Sequence, residues 1–313
     1  MFLSLTSVAG GLALLAVGAE VLVQGAASLA RRLGLSPLVI GLTVVSIGTS
    51  LPELVVSVEA ALVGSGGLAL GNVVGSNIAN IALILGVAAL VAPIMVRAQV
   101  IRIDAPILLG VSLAFVALIW DGGLGRVDGA FLTTGIVAYV LYSLRLARQA
   151  PEAVQSEFDA GVPGHQSAWL DAGLLAIGIA GLVGGAHFLV DGAIAVAKSL
   201  GVSPVMIGLS VVAVGTSLPE LATSVVAAWR GQGDIAVGNA LGSSIFNLLG
   251  ILGVTVLIHP LSTTSLGMTE LVVMVGLAVI VLPFLRTAYT LSRTEGAVLL
   301  LSYFGYVAYL VLG

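Results

Sequence analysis

The chain has 313 residues, 59 % hydrophobic and only 8 % charged, with a mean hydropathy of +1.19, so it cannot keep its surface wet as a soluble globule. Its net charge of −4 is small and its basic residues are dispersed, which excludes a nucleic-acid partner. With no cysteine there are no disulfides and no thiolate metal sites.

Apolar runs of about 18 or more residues recur along the whole length, and such runs read as membrane-spanning helices. Barrel strands would alternate polar and apolar residues, and this sequence does not. An all-α integral membrane protein with ten transmembrane helices is predicted, at about 3–30, 35–63, 67–92, 101–120, 127–148, 168–199, 203–229, 234–258, 266–285 and 293–312. The first span lacks a basic flank and is too long for a signal-peptide core, so it is expected to be retained. The polar stretch from about Gln149 to Ser167 links the fifth and sixth spans.

In chain order, span 1 carries Glu20 and Gln24, and span 2 carries Ser46 and the run Gly48-Thr49-Ser50-Leu51-Pro52-Glu53, then Ser57 and Glu59. Span 3 carries Gly71-Asn72, Gly75-Ser76 and Asn80. His187 and Asp191 lie on span 6, at the positions paired with Glu20 and Gln24 of span 1. Span 7 repeats the hexapeptide unchanged as Gly215-Thr216-Ser217-Leu218-Pro219-Glu220, with Ser224 beyond it. Span 8 then carries Gly238-Asn239, Gly242-Ser243 and Asn247.

Residues 18–86 align with 185–253 at a constant offset of 167 without gaps, and more than half of the paired positions are identical. The chain is one unit written twice. Five spans per copy is an odd number, so the second copy enters the membrane from the opposite side. The expected domains are a five-helix repeat at 1–148, a cytoplasmic linker at 149–167 and a second five-helix repeat, inverted, at 168–313. With the N-terminus outside, nine of the eleven basic residues fall in or beside cytoplasmic connections, so both termini are expected to face out of a plasma or inner membrane. Inverted repeats with polar, proline-interrupted helices at matching positions are the signature of secondary transporters, whose substrate site lies between the halves.

A carboxylate at the centre of a membrane helix costs roughly 2.5–3.5 kcal/mol on insertion scales, so Glu53 and Glu220 in matching positions call for a function. Ser46, Thr49, Ser50, Glu53 and Ser57 share one helical stripe, and Thr216, Ser217, Glu220 and Ser224 repeat it. Read as helix-interior residues, Pro52 and Pro219 free the carbonyls of Gly48 and Gly215 and loosen their neighbours. Carboxylate, hydroxyl, amide and carbonyl make an all-oxygen site. Calcium takes about six to eight oxygens, and sodium accepts the same hard ligands, whereas zinc or copper calls for imidazole or thiolate. Two facing ionised glutamates repel, so the site should take up protons, one divalent ion or several monovalent ions.

At these residues the chain resembles the cation/calcium exchanger superfamily, specifically the microbial sodium/calcium exchangers. The resemblance rests on GTSLPE followed about twenty residues on by GNxxGSxIxN, both duplicated. It implies ten helices, outward-facing termini and alternating access, with spans 1 and 6 sliding against the core. It implies that Glu53, Glu220 and the backbone of Thr49 and Thr216 bind calcium. Sodium sites would use Ser50, Ser76 and the Ser46 carbonyl on one side, and Ser217, Ser243 and the Ala213 carbonyl on the other. Asn80 and Asn247 would complete the middle. Many relatives place Asp at one of these last two positions; two amides weaken the case for potassium dependence.

The expected activity is exchange of calcium for sodium, with both as transported ions, the bilayer as surroundings, no cofactor and no required protein partner. Proton/calcium exchange is the alternative within the class, and a passive cation channel the alternative outside it. No hydrolase constellation is placed at matching depth, so no enzymatic activity is expected. Helix packing accounts for single hydroxyls in the stripes, but does not need the glutamates. Glu20, Gln24, His187 and Asp191 are expected at interfaces or bonded to neighbouring helices rather than along an ion passage. Glu59 fits either a solvated helix end or a mouth that recruits cations, and His165, His259, Trp120, Trp169 and Trp229 fit an interfacial belt.

Overall fold

A computed structural model describes residues 2–148, 167–199, 213–263 and 266–312, and these are almost entirely helical. Among the described residues, seven helices are long and apolar enough to cross a membrane, or eight when a pair bent by 45° is taken as one broken span. Helix α1, Phe2–Leu33, is followed by the broken span: α2 (Pro37–Ile40), a π-helical turn (Gly41–Val45), α3 (Ser46–Thr49) and α4 (Leu51–Leu62). Next comes α5 (Gly66–Ile78), which continues through a π turn (Ala79–Ile84) into α6 (Leu85–Val91). A further π turn, Val100–Asp104, leads into α7 (Ala105–Leu118), and α8 covers Arg126–Arg148.

The second half repeats this order with α9 (Ala168–Ser199), α10 (Ala213–Gly215), α11 (Leu218–Trp229) and α12 (Gly233–Phe246). A π turn at Asn247–Ile251 joins α12 to α13 (Leu252–Ile258), and α14 (Met268–Arg286) and α15 (Arg293–Leu312) complete it. The expected seventh span begins at 203, so its first part lies outside the described residues. The expected tenth span is the 20-residue helix α15, which is not among the seven.

Helices α1 and α9 pack along their length through a seam of glycines. Gly11, Gly18 and Gly25 on α1 meet backbone or Cβ atoms of α9, and Gly178, Gly185 and Gly192 on α9 meet backbone of α1. The seven-residue spacing keeps each row on one face of its helix, as two turns of a helix take about seven residues. The two rows are offset by 167, the offset of the sequence repeat. In lipid there is no hydrophobic drive between helices, so close backbone packing of this kind supplies the attraction.

The apolar reading of the sequence did not anticipate four two-residue strands: β1 (Ile94–Met95), β2 (Gly123–Leu124), β3 (Leu261–Ser262) and β4 (Thr290–Leu291). They pair antiparallel as β1 with β4 and β2 with β3, so each pair ties the first half to the second. Ion pairs cross the halves too: Arg32 to Asp171 at 2.7 Å, Arg97 to Asp234 at 2.5 Å, and Arg230 to Glu20 at 2.7 Å. Deeper in, α12 lies against the start of the broken span, where a Cβ at Gly238 would sit 2.7 Å from Leu38 O and one at Gly242 2.7 Å from Leu42 Cα.

The seam makes a paired prediction. A Cβ at Gly178 would lie 2.7 Å from Leu22 N, whereas one at Gly184, on the same helix, meets nothing within 4 Å. Gly178→Ala should therefore lower the melting temperature of the purified protein by several degrees, the scale of an overpacking cost of about 1–3 kcal/mol. Gly184→Ala should leave it unchanged or raise it, because alanine is the better helix former. Tryptophan fluorescence on heating reads both.

Candidate cation site

The two hexapeptides form matching breaks. Ser50 leaves helical geometry at φ −85°, ψ 9°, and Ser217 does so at φ −88°, ψ 6°. The prolines sit differently from the expectation of a helix interior: Pro52 and Pro219 each lie in the first turn of the helix after the break. There the missing N–H is one that needs no intrahelical partner, so the chain resolves the clash by ending one helix and starting another. The bonds across the first break are Ser50 N to Ser46 O, 3.1 Å, and Leu54 N to Ser50 O, 3.2 Å. Across the second they are Ser217 N to Val214 O, 3.2 Å, and Leu221 N to Ser217 O, 3.0 Å.

Each break places a glutamate one turn on, and both carboxylates are buried, at 1 % exposure. The halves exchange ligands. Ser50 Oγ donates to Glu220 Oε1 at 2.7 Å, and Ser217 Oγ donates to Glu53 Oε1 at 3.3 Å and lies 3.3 Å from Ser76 Oγ. Glu53 Oε2 and Glu220 Oε2 are buried without a hydrogen-bond partner. The same holds for both side-chain polar atoms of Asn80 and for Asn247 Oδ1. Orphaned oxygens of this kind cost about 1–3 kcal/mol each when nothing fills their valence, and here they belong to residues singled out from the sequence.

Ser46 Oγ bonds back to Leu42 O at 2.9 Å, and its own carbonyl accepts from Ser243 Oγ at 3.5 Å and Thr49 Oγ1 at 3.4 Å. The carbonyl of Ser46, rather than its hydroxyl, is thus what faces the other half. Asn247 Nδ2 donates to Asn77 Oδ1 at 3.3 Å, a second link between halves. Ala213 opens the short helix α10, and Thr216 follows that helix before the break. Twelve residues were expected at the site. Direct bonds join Ser50 to Glu220, Ser217 to Glu53 and Ser76, and, in a third set, Ser46 to Thr49 and Ser243. The side chain of Asn80 makes no hydrogen bond with any of them.

Asn72 and Asn239 were visible as a repeated pair, but their role was not read from the sequence. Asn72 Nδ2 donates to Glu53 O at 3.1 Å and Ser57 Oγ at 2.9 Å, while Asn72 Oδ1 accepts from Thr216 Oγ1 at 3.4 Å. Asn239 mirrors this with Glu220 O at 3.2 Å, Ser224 Oγ at 3.0 Å and Thr49 Oγ1 at 3.1 Å. Each asparagine therefore holds the glutamate of its own half and the threonine of the other. Ser57 and Ser224, grouped with the site by spacing, serve these amides.

Glu20 is bonded to a neighbouring helix, as expected: Arg230 Nη2 lies 2.7 Å from its Oε1 and Arg230 Nε 2.8 Å from its Oε2, and Gln24 donates to it as well. His187 and Asp191 are exposed and pair with each other along α9 at 3.2 Å, so they face away from the site. Glu59 is exposed near the end of α4, and Trp120, Trp169 and Trp229 are exposed near helix ends. His165 lies outside the described residues.

The family model described as sodium/calcium exchanger protein matches residues 3–145 and 170–312. Inner membrane protein YrbG of Escherichia coli is 41 % identical over 260 residues, covering 80 % of this chain and 78 % of its own. Sodium/calcium exchanger MaX1 of Methanosarcina acetivorans is 35 % identical, covering 96 % and 95 %. Among solved structures, that of the sodium-calcium exchanger NCX_Mj soaked without sodium or calcium superposes with a TM-score of 0.86 at 31 % identity, over 99 % of both chains. Broken helices, exchanged serine–glutamate bonds and these matches agree: the chain belongs to the sodium/calcium exchanger protein family.

Proposed function

We propose that the chain is a secondary active antiporter that exchanges calcium for sodium by alternating access. The observation that carries this reading is the pair of buried carboxylates, each bonded through one oxygen to a serine of the other half and each holding its second oxygen without a partner. A hard cation is the ligand such oxygens fit. Glu53 and Glu220 bind calcium with the backbone of Thr49 and Thr216, and sodium uses Ser50, Ser76 and the Ser46 carbonyl, or Ser217, Ser243 and the Ala213 carbonyl. Asn80 and Asn247 complete the middle as neutral ligands.

The architecture proposed for this activity is ten helices in two inverted repeats, 1–148 and 168–313, joined by a cytoplasmic linker at 149–167, with both termini outside. It is supported by the two stretches matched by the family model, whose starts are separated by the offset of the sequence repeat. The strand pairs β1–β4 and β2–β3 support it too, since the repeat offset carries one pair onto the other: Ile94 opposite Leu291 corresponds to Leu261 opposite Leu124. Coupling to sodium rather than to protons is favoured by the amides at 80 and 247, which leave the site no carboxylates beyond the two glutamates.

Glu53→Gln and Glu220→Gln should each abolish calcium transport into proteoliposomes, because either removes half of the charge that holds a divalent ion; near-normal flux in either variant refutes the site. In the same vesicles, calcium uptake should follow an imposed sodium gradient and ignore an imposed pH gradient. Uptake driven by pH alone would replace sodium with protons, and flux indifferent to every counter-ion would indicate a channel. Asn72→Ala and Asn239→Ala leave the carboxylates in place but free the turns that carry them. Each should weaken calcium binding by about tenfold, the scale of one or two neutral hydrogen bonds, as read by calorimetric titration at several sodium concentrations.

A further inference from the structure

Away from the central site, one more carboxylate among the described residues is fully buried in a membrane-spanning segment and bears no counter-charge. Asp104 is 0 % exposed, and no described basic side chain forms an ion pair with it. Arg102, two residues earlier, is exposed. Asp104 Oδ1 accepts a hydrogen bond from Tyr139 Oη of α8 at 3.1 Å, and Oδ2 is buried with no partner. One turn along α8 on the same face, Ser143 is 1 % exposed and its Oγ is also unpartnered. Gln99 lies beside the carboxyl, its buried Nε2 turned toward it without closing a full hydrogen bond.

The backbone singles out the same place. Among the described residues there are four π-helical turns, and π turns gather at functional positions because they leave the regular helical bonding. Gly41–Val45 leads into Ser46, Ala79–Ile84 carries Asn80, and Asn247–Ile251 begins at Asn247. The fourth, Val100–Asp104, ends on Asp104 and has no part in the central site.

We propose that Asp104, Tyr139 and Ser143 form a second cation site, for a single monovalent alkali ion, where the start of α7 meets α8. The donors are all oxygen, as hard cations require. One carboxylate balances one positive charge, whereas a divalent ion would leave a net charge buried among apolar helices. The site's residues all belong to the first half; at the repeat offset Tyr139 is matched by Tyr306, but Asp104 is matched by a leucine, Leu271. Its ion is therefore held in place as a brace between two helices rather than shared between the halves as cargo.

The test uses the purified full chain carrying Glu53→Gln and Glu220→Gln, so that the central carboxylates do not report, with sodium chloride replacing choline chloride at constant ionic strength. The melting temperature should rise with sodium and saturate, as binding to the folded state requires. Asp104→Asn should remove the rise. Tyr139→Phe, which keeps the shape and removes the hydroxyl, should shift the half-maximal sodium concentration upward by about three- to tenfold and decides the matter if the Asp104 variant does not fold. A potassium-dependent rise that Asp104→Asn also removes supports the same site. No alkali-dependent rise, one that survives both substitutions, or one reproduced by lowering pH in choline alone would overturn it.

Discussion

Two carboxylates share the interior of a structure whose surroundings are hydrocarbon, and much of the site is arranged around that constraint. An ionised carboxylate buried without compensation costs several kcal/mol, which a single serine bond at 2.7 or 3.3 Å does not offset. The breaks at Ser50 and Ser217 bring hydroxyls and loosened backbone to the charges, and the asparagines at 72 and 239 hold each break in register with its glutamate. What remains unmet is one oxygen on each glutamate. Under the proposed function, the cargo itself supplies the missing interaction, and the cost of the empty site becomes the drive for loading it.

Neither half builds this site alone. Ser50 serves Glu220, Ser217 serves Glu53, and Thr49 and Thr216 reach the asparagine of the opposite half. The pairing is not symmetric in detail. The serine bonds differ by 2.7 against 3.3 Å, and the threonine bonds by 3.1 against 3.4 Å. Helix α9 covers both breaks: a Cβ at Gly48 would sit 2.5 Å from Ile179 Cδ1, and one at Gly215 2.5 Å from Val190 Cγ2. Two halves of one sequence plan thus meet at the site with slightly different hydrogen-bond lengths.

The hexapeptides, the duplication and most helix positions were legible in the sequence because they depend on local pattern: apolar length, proline, and residues at helical spacing. Where Pro52 falls relative to the break was not, since the sequence says that the helix is disturbed but not on which side it restarts. Strands of two residues carry no periodicity, so the β1–β4 and β2–β3 pairs had no signal. The link from Glu20 to Arg230 joins residues that only the packing of α1 brings near α11. The repeated asparagines at 72 and 239 were seen, yet ligand and buttress look alike in a sequence; only their bonds to the glutamate carbonyls separate the two roles.

Charge then decides how the proposed cargoes exclude one another. Asn80 and Asn247 add no charge, so the site holds −2 from Glu53 and Glu220 when both are ionised. One calcium ion, or two sodium ions, neutralises it. Adding a second load to the first would place positive charges a few ångströms apart, at about 4 kcal/mol for each unit pair at 4 Å even at an effective dielectric constant of 20. Calcium and sodium therefore need not compete for identical ligands to displace each other. Sharing the same two carboxylates is sufficient, and that sharing follows from each half lending its serine to the other half's glutamate.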